Sequence, residues 1–582
     1  MKQFTRIGPW TTTNIADNPA QIQDNELAYS ENVVIDGKGG LRPRPGFNFV
    51  ARPAGMATGP ASTTATVMLG TFFGKVYVSV KNGTAGFYLW RYDINAGTWS
   101  TSTLIGSGFD YTPAAAFSYG SEVYFVASKF SALTKGGYKY NPSTGSQTYV
   151  PNLPFLPAGA KYQKNAFIYK ERAWVINGSR VSYSKATDPT DWTVVAGGAG
   201  FFDIDVNQDT SGITAYAVLN DVMYFFKRTA TYSFNYYLAP DTDGQLRRIS
   251  STQGALEGSA VGFKNRVFIY DNTNVYEIIN NQFILRSETL GLFKYFSLIP
   301  DAFSLNGQRV SSGRLHFMAD YLVLGPIYQK TFGSGAYGDT LLVSESYDAI
   351  PHSKTWYLVY DTNTNAWFFW TNICNNTQQN FPSFIGEWAT NEEQTIFFSM
   401  IESTDYYDGG SGTGNLVKID FSNLDFFFTT PAATTQLGFP DYSSASTKQY
   451  PPYRFTTKTF DFGSKFSIKK IYKIYYSKFF KPQLPNYTAD TNYSFKVKYF
   501  MTYFFQSRIL GINVDQTRNS STTKNFGLLP SSQGRVTEMA LGMEFKMLTN
   551  TNLSASNAFN FYVDGFEAQY ETKNVTSKDS TL

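Results

Sequence analysis

Short alternating strands recur along the middle of the chain, and they constrain its fold more than any other feature of the sequence. In "KVYVSV" at 75–80, "EVYFVAS" at 122–128 and "RVFIYD" at 266–271, apolar residues occupy every second position, as in half-buried β-strands. Units built from such strands begin near residues 67, 114, 165, 213, 258, 312 and 383. Their spacing of about 45 to 70 residues resembles the period of β-propeller blades, with insertions in some units.

A small antiparallel sheet cannot bury both of its faces alone, so several such units must stack around a common axis. We therefore predict an all-β chain with an irregular β-propeller of six to seven blades at residues 65–452. A pair of irregular β-sandwiches is the alternative that the same pattern leaves open.

Many of the strands end in turns of one design, which "YDINAGTW" at 92–99 and "YDTNTNAWFFW" at 360–370 illustrate. An aromatic residue is followed by Asp or Asn, then by turn residues, and then by an aromatic residue that resumes the sheet. Asp and Asn suit this position because their side chains bond to the backbone ahead of them. In "RAWVINGSRVSYSKATDPTDW" at 172–192, we predict a two-residue hairpin turn at Asn177-Gly178 and a wider turn at "ATDPTDW".

The two ends of the chain differ from this middle part. We interpret residues 1–64 as an N-terminal arm with a first strand region, in which Glu26 to Tyr29 form one helical turn. Longer strands after 452 predict a β-sandwich or jelly-roll domain at 453–571, and residues 572–582 are predicted to be a flexible tail.

The net charge and the distribution of apolar residues argue against a nucleic-acid-binding, secreted or membrane-spanning protein. The net charge is only +4, so the overall charge does not indicate a nucleic-acid-binding protein. The N-terminus lacks the apolar segment of a secretion signal. No apolar run approaches the roughly 20 residues that cross a bilayer. We expect a soluble protein, made in a cytoplasm and without a membrane span.

Residues suited to catalysis are scarce. The sequence has no phosphate-binding loop, no dinucleotide-binding glycine motif and no zinc motif. The two histidines, His316 and His352, are expected to be packed or solvated, and the single cysteine, Cys374, is expected to be an isolated thiol. We therefore predict no catalytic residues, no metal site and no cofactor.

Carboxylates and lysines leave two further hypotheses open. Propellers can host glycosidases, in which two acids flank a sugar and aromatic rings stack on it, although a structural role in turns explains these acids better. The lysines at Lys465, Lys469, Lys470 and Lys473 alternate with apolar residues. We interpret them as a solvated strand face or as a contact with an acidic partner, and phosphate binding is the alternative.

Three segments resemble one family. "NPAQIQDNELAYSENVVIDGKGGLRPRPGF" at 18–47 is similar to the opening of tail nozzle proteins from short-tailed bacteriophages, also called tubular tail protein B or packaged-DNA stabilisation proteins. "RAWVINGSRVSYSKATDPTDW" with "DVMYFFKRTATYSF" at 221–234 resembles a pair of their blades, and "TKTFDFGSKFSIKKI" at 457–471 resembles the start of their sandwich domain. The positions that carry the N-terminal likeness are Pro19, Asp24, Glu26, Asn32, Gly39-Gly40-Leu41 and Arg44-Pro45-Gly46.

The resemblance implies a structural protein of the virion. Six copies would form a ring or tube below the portal and the head–tail adaptor protein, with a channel for genome ejection. The tube would help to retain the packaged DNA, let it pass without sequence-specific binding, and anchor tail fibres or other tail proteins. A glycan-binding or glycan-hydrolysing propeller and a receptor-binding tail fibre are the alternatives.

Overall fold

The structure is a computed structural model in which strands dominate. It describes residues 2–44 except 19, 66–81, 86–107, 111–130, 136–156, 165–290 except 208, 210 and 272, 314–329 except 319, 355–371, 453–480 except 463–466, and the strands named below that lie outside these ranges. The one helix that the structure describes along its whole length is a single 3₁₀ turn, Glu288–Leu290. The expectation of an all-β chain is confirmed.

Six strands precede the repeated sheets. They are β1 (Gln3–Ile7), β2 (Thr12–Thr13), β3 (Glu26–Glu31), β4 (Val33–Ile35), β5 (Leu41–Pro43) and β6 (Asn48–Phe49). The first sheet then contains β7 (Thr66–Phe72), β8 (Lys75–Lys81), β9 (Phe87–Asp93), β10 (Thr98–Trp99) and β11 (Thr103–Ile105). The second contains β12 (Tyr111–Tyr119), β13 (Glu122–Phe130), β14 (Gly137–Tyr140) and β15 (Gln147–Val150).

The next three sheets each have four antiparallel strands in chain order. The third contains β16 (Ala166–Tyr169), β17 (Arg172–Asn177), β18 (Arg180–Tyr183) and β19 (Gly200–Asp203). The fourth contains β20 (Ala215–Leu219), β21 (Val222–Phe226), β22 (Thr231–Asn235) and β23 (Gln245–Ser250). The fifth contains β24 (Ala260–Phe263), β25 (Arg266–Tyr270), β26 (Val275–Ile279) and β27 (Gln282–Leu285).

Two further sheets complete the series. Before the sixth sheet, the chain forms β28 (Phe296–Ser297), which pairs with β32 (Tyr321–Gln329) of that sheet. A hairpin of β29 (Ser304–Leu305) and β30 (Gln308–Arg309) follows β28. The sixth sheet contains β31 (Arg314–Met318), β32 (Tyr321–Gln329), β33 (Thr355–Asp361) and β34 (Ala366–Thr371). The seventh contains β35 (Pro382–Phe384), β36 (Ala389–Thr390), β37 (Thr395–Glu402) and β38 (Asn415–Asp420), with β6 as its outermost strand.

The seven sheets form a ring. The innermost strand of one sheet lies next to that of the following sheet, as β7 does with β12, β12 with β16, β20 with β24 and β24 with β31. The third and fourth sheets meet where the ring of Phe167 stacks on Tyr216, with centroids 3.9 Å apart. The seventh sheet returns to the first, because β37 lies next to β7. The fold is an irregular β-propeller, and its described residues form seven blades.

Small residues in the innermost strands allow the blades to converge near the axis. Ala215 and Ala217 in β20 and Ala260 in β24 are buried. A Cβ atom on Gly262 would lie 3.0 Å from the carbonyl oxygen of Val218 in the neighbouring blade, closer than a side chain normally approaches a backbone atom. The repeat therefore depends on small residues at positions where two blades touch.

Strands from both ends of the chain form two further sheets. After a hairpin of β39 (Tyr442–Ser443) and β40 (Thr447–Lys448), the C-terminal strands are β41 (Tyr453–Thr457), β42 (Ile468–Phe480), β43 (Tyr493–Tyr503), β44 (Gln506–Ile512), β45 (Thr523–Leu528), β46 (Arg535–Val536), β47 (Glu538–Met547) and β48 (Phe561–Lys573). One sheet joins β1, β4 and β5 to β42, β45, β46 and β48, and the other joins β2 and β3 to β41, β43, β44 and β47.

These two sheets pack face to face as a β-sandwich. Trp10, which is 2% exposed, lies between Phe455 of one sheet and Phe566 of the other, with ring centroids 5.5 and 6.0 Å away. Phe455 and Phe566 also contact each other directly. The ring of Trp10, from the N-terminal segment, therefore fills part of the core between the two sheets.

Three local predictions were wrong. Residues Glu26 to Tyr29 are not a helical turn but part of β3, which is buried along its whole length and pairs with β2 and β41. Tertiary pairing overrides the weak local helix preference there. The hairpin turn near 178 is Gly178-Ser179, because Asn177 still pairs with Arg180. Strand β48 continues to Lys573, two residues into the predicted flexible tail.

Candidate functional surface

The acidic turns of the propeller are satisfied by their own backbone. One carboxylate oxygen of Asp93 accepts hydrogen bonds from the amides of Asn95 and Ala96, at 3.1 and 2.9 Å. The amide of Ala96, more than any other group, holds the pKa of Asp93 below its ordinary value. Asp361 accepts a 2.8 Å bond from the amide of Asn363 in the same way. The bonding predicted for these side chains is confirmed.

Aromatic rings also pack across the same turns. The rings of Tyr92 and Trp99 lie 5.1 Å apart between centroids, and those of Tyr360 and Trp367 lie 4.9 Å apart. These contacts are in the range in which aromatic pairs stabilise one another. The repeated motif is thus a structural device in which the acid fixes the turn and the rings fix the strands.

The residues best suited to catalysis do not come together in the described part of the chain. His316 is buried in β31, the innermost strand of blade six, while His352 and Cys374 lie outside the described residues. Within the described residues, no group of three or more His, Cys, Asp or Glu side chains is placed to hold a metal ion. The same part of the chain has no helix long and apolar enough to span a membrane.

The lysines of β42 are not a uniformly solvated face. Lys469 is fully buried, and this burial lowers the pKa of its ammonium group, while Asp461 and Glu538 oppose the shift. Lys470 is partly exposed. The ammonium groups of Lys470 and Lys2 lie 5.1 and 4.8 Å from the centroid of the Tyr472 ring. The interpretation of Lys469 as solvated was wrong: its strand β42 lies between β46 and β48 at this residue, and the side chain is buried. Lys465 lies outside the described residues.

The loop between blades three and four is organised by an internal cation that sequence reasoning missed. Asp205, Asn207, Asp209 and Ser211 stand at alternate positions, a spacing found in calcium-binding loops. The ammonium group of Lys227, a fully buried residue, donates to the carbonyl oxygens of Asp209 at 2.5 Å and of Asp205 at 3.4 Å. The lysine thus supplies the positive charge around which this loop folds.

Blade three has an exposed apolar loop whose backbone is bonded by a buried arginine. The guanidinium group of Arg172, which is 3% exposed, donates to the carbonyl oxygens of Gly198 at 2.6 Å and of Gly197 at 3.3 Å. The amide of Gly198 bonds to the carbonyl oxygen of Val195 at 2.9 Å. Val194 and Val195 are nevertheless 63% and 55% exposed. The loop is ordered by its backbone bonds while its apolar side chains face the solvent.

The neighbouring loop of blade four is constructed in the same way. The carboxylate of Asp243 accepts hydrogen bonds from the amides of Tyr237, Leu238 and Ala239, at 2.8 to 3.1 Å. The bond from the Leu238 amide is the main cause that lowers the pKa of Asp243. Tyr237 and Leu238 are 87% and 70% exposed, although they are large apolar residues. A fixed turn therefore displays both side chains.

A hydrogen bond of 2.7 Å from the amide of Gly197 to Asp241 joins the two loops. We call their four exposed side chains the apolar patch: Val194, Val195, Tyr237 and Leu238. The loop residues 186–199 and 235–244 contain four aspartates, Asp188, Asp191, Asp241 and Asp243, and no lysine or arginine. The patch thus combines exposed apolar side chains with acidic loop residues, while Lys170 and Arg172 bond to the backbone of the loops. Exposed apolar patches rimmed by polar residues are typical of surfaces that bind another molecule.

Comparison with known proteins gives only distant likenesses. No protein-family model and no curated protein matches the chain. Among solved structures it is similar to YCF48 bound to a D1 peptide, with a TM-score of 0.34 and 9% identity over 64% of this chain and 98% of that one. It is also similar to the WD40 domain of SCAP from fission yeast, with a TM-score of 0.31 and 9% identity over 63% and 98%. Such likenesses carry no information on function, and the strand order defines the propeller.

Proposed function

We propose that this chain is a structural subunit of the tail nozzle of a short-tailed phage. Six copies form a ring below the portal and adaptor, surround the path of the ejected genome, help to retain packaged DNA and anchor tail fibres. The chain performs no catalysis in this role and resides in the virion.

The observation that carries the proposal is the position of the segment that resembles nozzle proteins. Strands β3, β4 and β5 lie within that segment. Strands β3 and β4 lie next to β34, the outermost strand of blade six, while β3 belongs to one sheet of the sandwich and β4 and β5 belong to the other. Glu31, Asn32 and Arg44 are at most 1% exposed there, and Nε of Arg44 donates to the side-chain oxygen of Asn32 at 2.7 Å. The strands of this segment thus form a joint between the two domains, and these three buried residues lie at its centre.

Such a joint suits a part that must withstand mechanical load. Strand β6, next along the chain, forms the outermost strand of blade seven by pairing with β38. The edges of blades six and seven are thus covered by strands from the N-terminal segment, and covered edges do not pair with other chains. A ring of sheets closed in this way opens only if the sheet pairing is broken.

The chemistry of the turns favours this function over glycan hydrolysis. A retaining or inverting glycosidase needs two carboxyl groups that face a sugar. Asp93 and Asp361 instead use their carboxylate oxygens to bond backbone amides of their own turns. These two acids are thereby committed to the fold.

Antibody labelling of virus particles tests the proposal. Gold-labelled antibodies raised against the purified chain are expected to bind at the tail, close to the vertex that carries the portal. A glycan array probed with the same protein serves as the comparison. The proposal is wrong if particles carry no label and the array gives a signal that disappears when acidic side chains become amides.

A further inference from the structure

We propose that the apolar patch of blades three and four binds strand β1 of a second copy of this chain. The inference deepens the proposed function and rests on it, because it names the contact through which subunits of a ring would meet. The two surfaces are different, so the contact is head-to-tail.

The first surface is the apolar patch. Val194, Val195, Tyr237 and Leu238 are 55% to 87% exposed, and the two loops that carry them are fixed by Arg172 and Asp243. Because the loops are already ordered, little conformational entropy is lost when a partner binds. Burial of these side chains is favourable because it removes apolar surface from water.

The second surface is strand β1, whose exposed aromatic residue Phe4 has basic residues near it in the sequence. Phe4 is 56% exposed, which is unusual for a phenylalanine in a strand. Arg6 is exposed and lies on the same face of β1 as Phe4, because residues two apart in a strand share a face; its partner on β48 is Glu567. Lys2, which is also exposed, comes directly before the strand. Strand β1 pairs with β48 in register from Gln3 to Ile7, which fixes the direction of these side chains.

The two surfaces complement each other in polarity and in charge. The exposed ring of Phe4, with Lys2 and Arg6 two residues to either side in the sequence, fits an apolar patch whose own loop residues include four aspartates and no lysine or arginine. Hydrogen bonds within the turns lower the pKa of Asp188 and of Asp243, so these carboxylates are ionised at neutral pH. Complementary charge of this kind accelerates association and selects the orientation of the partner.

One copy cannot satisfy both surfaces by itself. Strand β1 belongs to the sandwich, and the N-terminal strands of the sandwich attach to β34 in blade six. The apolar patch lies on blades three and four of the ring. A contact between two non-identical surfaces on separate parts of the molecule links each copy to the next, and it gives a closed ring when the rotation between copies closes.

Self-association of the full-length chain, measured by sedimentation velocity over a range of concentrations, tests the inference. We expect Leu238→Asp and Phe4→Asp each to raise the dissociation constant of self-association by at least about tenfold, because each places a carboxylate at the centre of the contact. Phe73→Asp is the control: Phe73 is 49% exposed in a turn of blade one and has a φ of 51°, which Asp accepts readily. This control is expected to associate like the wild type.

A cross-linking experiment identifies the pair. In a Cys374→Ser background, Phe4→Cys and Leu238→Cys are combined in one chain, and mild oxidation is expected to give a ladder of linked copies. Either cysteine alone is expected to give none. Absence of the ladder, or association that is unchanged in Leu238→Asp and Phe4→Asp, overturns the inference.

Failure of this contact is distinguishable from failure of the proposed function. If antibodies label the tail but these variants associate normally, the nozzle role stands and the proposed interface is wrong. If Leu238→Asp prevents incorporation into particles while purified chains still associate, the patch binds a different protein and the second copy is excluded as its occupant. A chain that does not associate at any concentration also overturns the inference.

Discussion

The backbone amide of Asn32 donates a 2.8 Å hydrogen bond to the carbonyl oxygen of Phe369. This single bond links the turn between β3 and β4 of the sandwich to the outermost strand of blade six. The ring of Tyr29 stacks on that of Phe369 beside it, with centroids 6.3 Å apart. Asn32 has a φ of 57°, a left-handed conformation that Asn adopts more readily than most residues. The backbone of the joint therefore depends on the residue at this position.

Removal of the Asn32 side chain is expected to loosen the joint. Asn32→Gly keeps the backbone conformation but deprives the buried guanidinium of Arg44 of an acceptor, so we expect the free energy of unfolding to fall by about 1.5–3 kcal/mol. The measurement is thermal unfolding followed by circular dichroism. Asn280→Gly is the matched control, since Asn280 also has a positive φ but is exposed in a turn of blade five. Equal effects of the two substitutions would contradict the role of Asn32.

Glu277 of blade five is expected to be more important for stability than an exposed acid with similar bonding. Its carboxylate is 2% exposed and binds Arg266 at 2.5 Å and Arg286 at 2.7 Å. Glu277→Gln leaves two partly buried cations without their counter-charge, and we expect a loss of about 2–3 kcal/mol. The control, Asp203→Asn, removes the exposed partner of Arg180 and should cost under about 1 kcal/mol. Denaturant unfolding of both variants tests the difference.

The same carboxylate predicts a dependence of stability on pH. Burial raises the pKa of Glu277, but the hydrogen bonds from Arg266 and Arg286 outweigh this, and the pKa lies below its ordinary value of 4.5. The contribution of Glu277 to stability is therefore complete above pH 4.5 and is lost as the pH falls through the folded-state value. We expect the gap in stability between wild type and Glu277→Gln to narrow only below that pH. A stability difference that narrows toward neutral pH would show that the pKa of Glu277 is raised in the folded state and not lowered.

Substitutions of Asp93 distinguish a structural role of the acidic turns from a catalytic one. Asp93→Asn retains an oxygen that accepts the bonds from Asn95 and Ala96, so we expect its stability to match the wild type. Asp93→Ala lacks this oxygen and is expected to lose about 1 kcal/mol. Thermal unfolding of the two variants is the measurement. If the Asn variant instead abolished a glycan-cleaving activity at unchanged stability, the acid would have a catalytic role.

Lys227 is expected to control the order of the loop between blades three and four. Lys227→Met removes the ammonium group that binds the carbonyl oxygens of Asp205 and Asp209, and we expect faster amide hydrogen exchange within residues 204–213. Lys185→Met, at an exposed position, is the comparison and should leave that exchange unchanged. Exchange in this loop that is equally slow in both variants would rule out the organising role of Lys227.

Features set by local periodicity were predictable from the sequence. The first strands of the seven blades begin at residues 66, 111, 166, 215, 260, 314 and 382, each within three residues of the position expected from alternation. The acid-and-ring turns were predictable because Asp and Asn act on backbone groups two or three residues ahead. The domain boundaries at 64/65 and 452/453 and the role in the virion stay predictions.

Features set by distant pairing were not predictable in this way. Strand β6 is only two residues long and is a strand because β38 lies beside it. Lys469 is buried where β42 pairs with β46 and β48, strands that lie more than 60 residues further along the chain. The ammonium group of Lys227 bonds to Asp205 and Asp209 in the loop that connects blades three and four. The apolar patch was missed because Val194 and Leu238 belong to different blades, and the sequence alone does not indicate that their loops touch.

Electron cryo-microscopy of intact particles at the tail vertex tests the central claim most directly. The account predicts a ring of identical subunits below the adaptor, each with a seven-bladed propeller, a sandwich that contains both ends of the described chain, and a channel along the ring axis. A tail vertex in which no subunit has this fold would contradict the claim, as would location of the chain outside the virion.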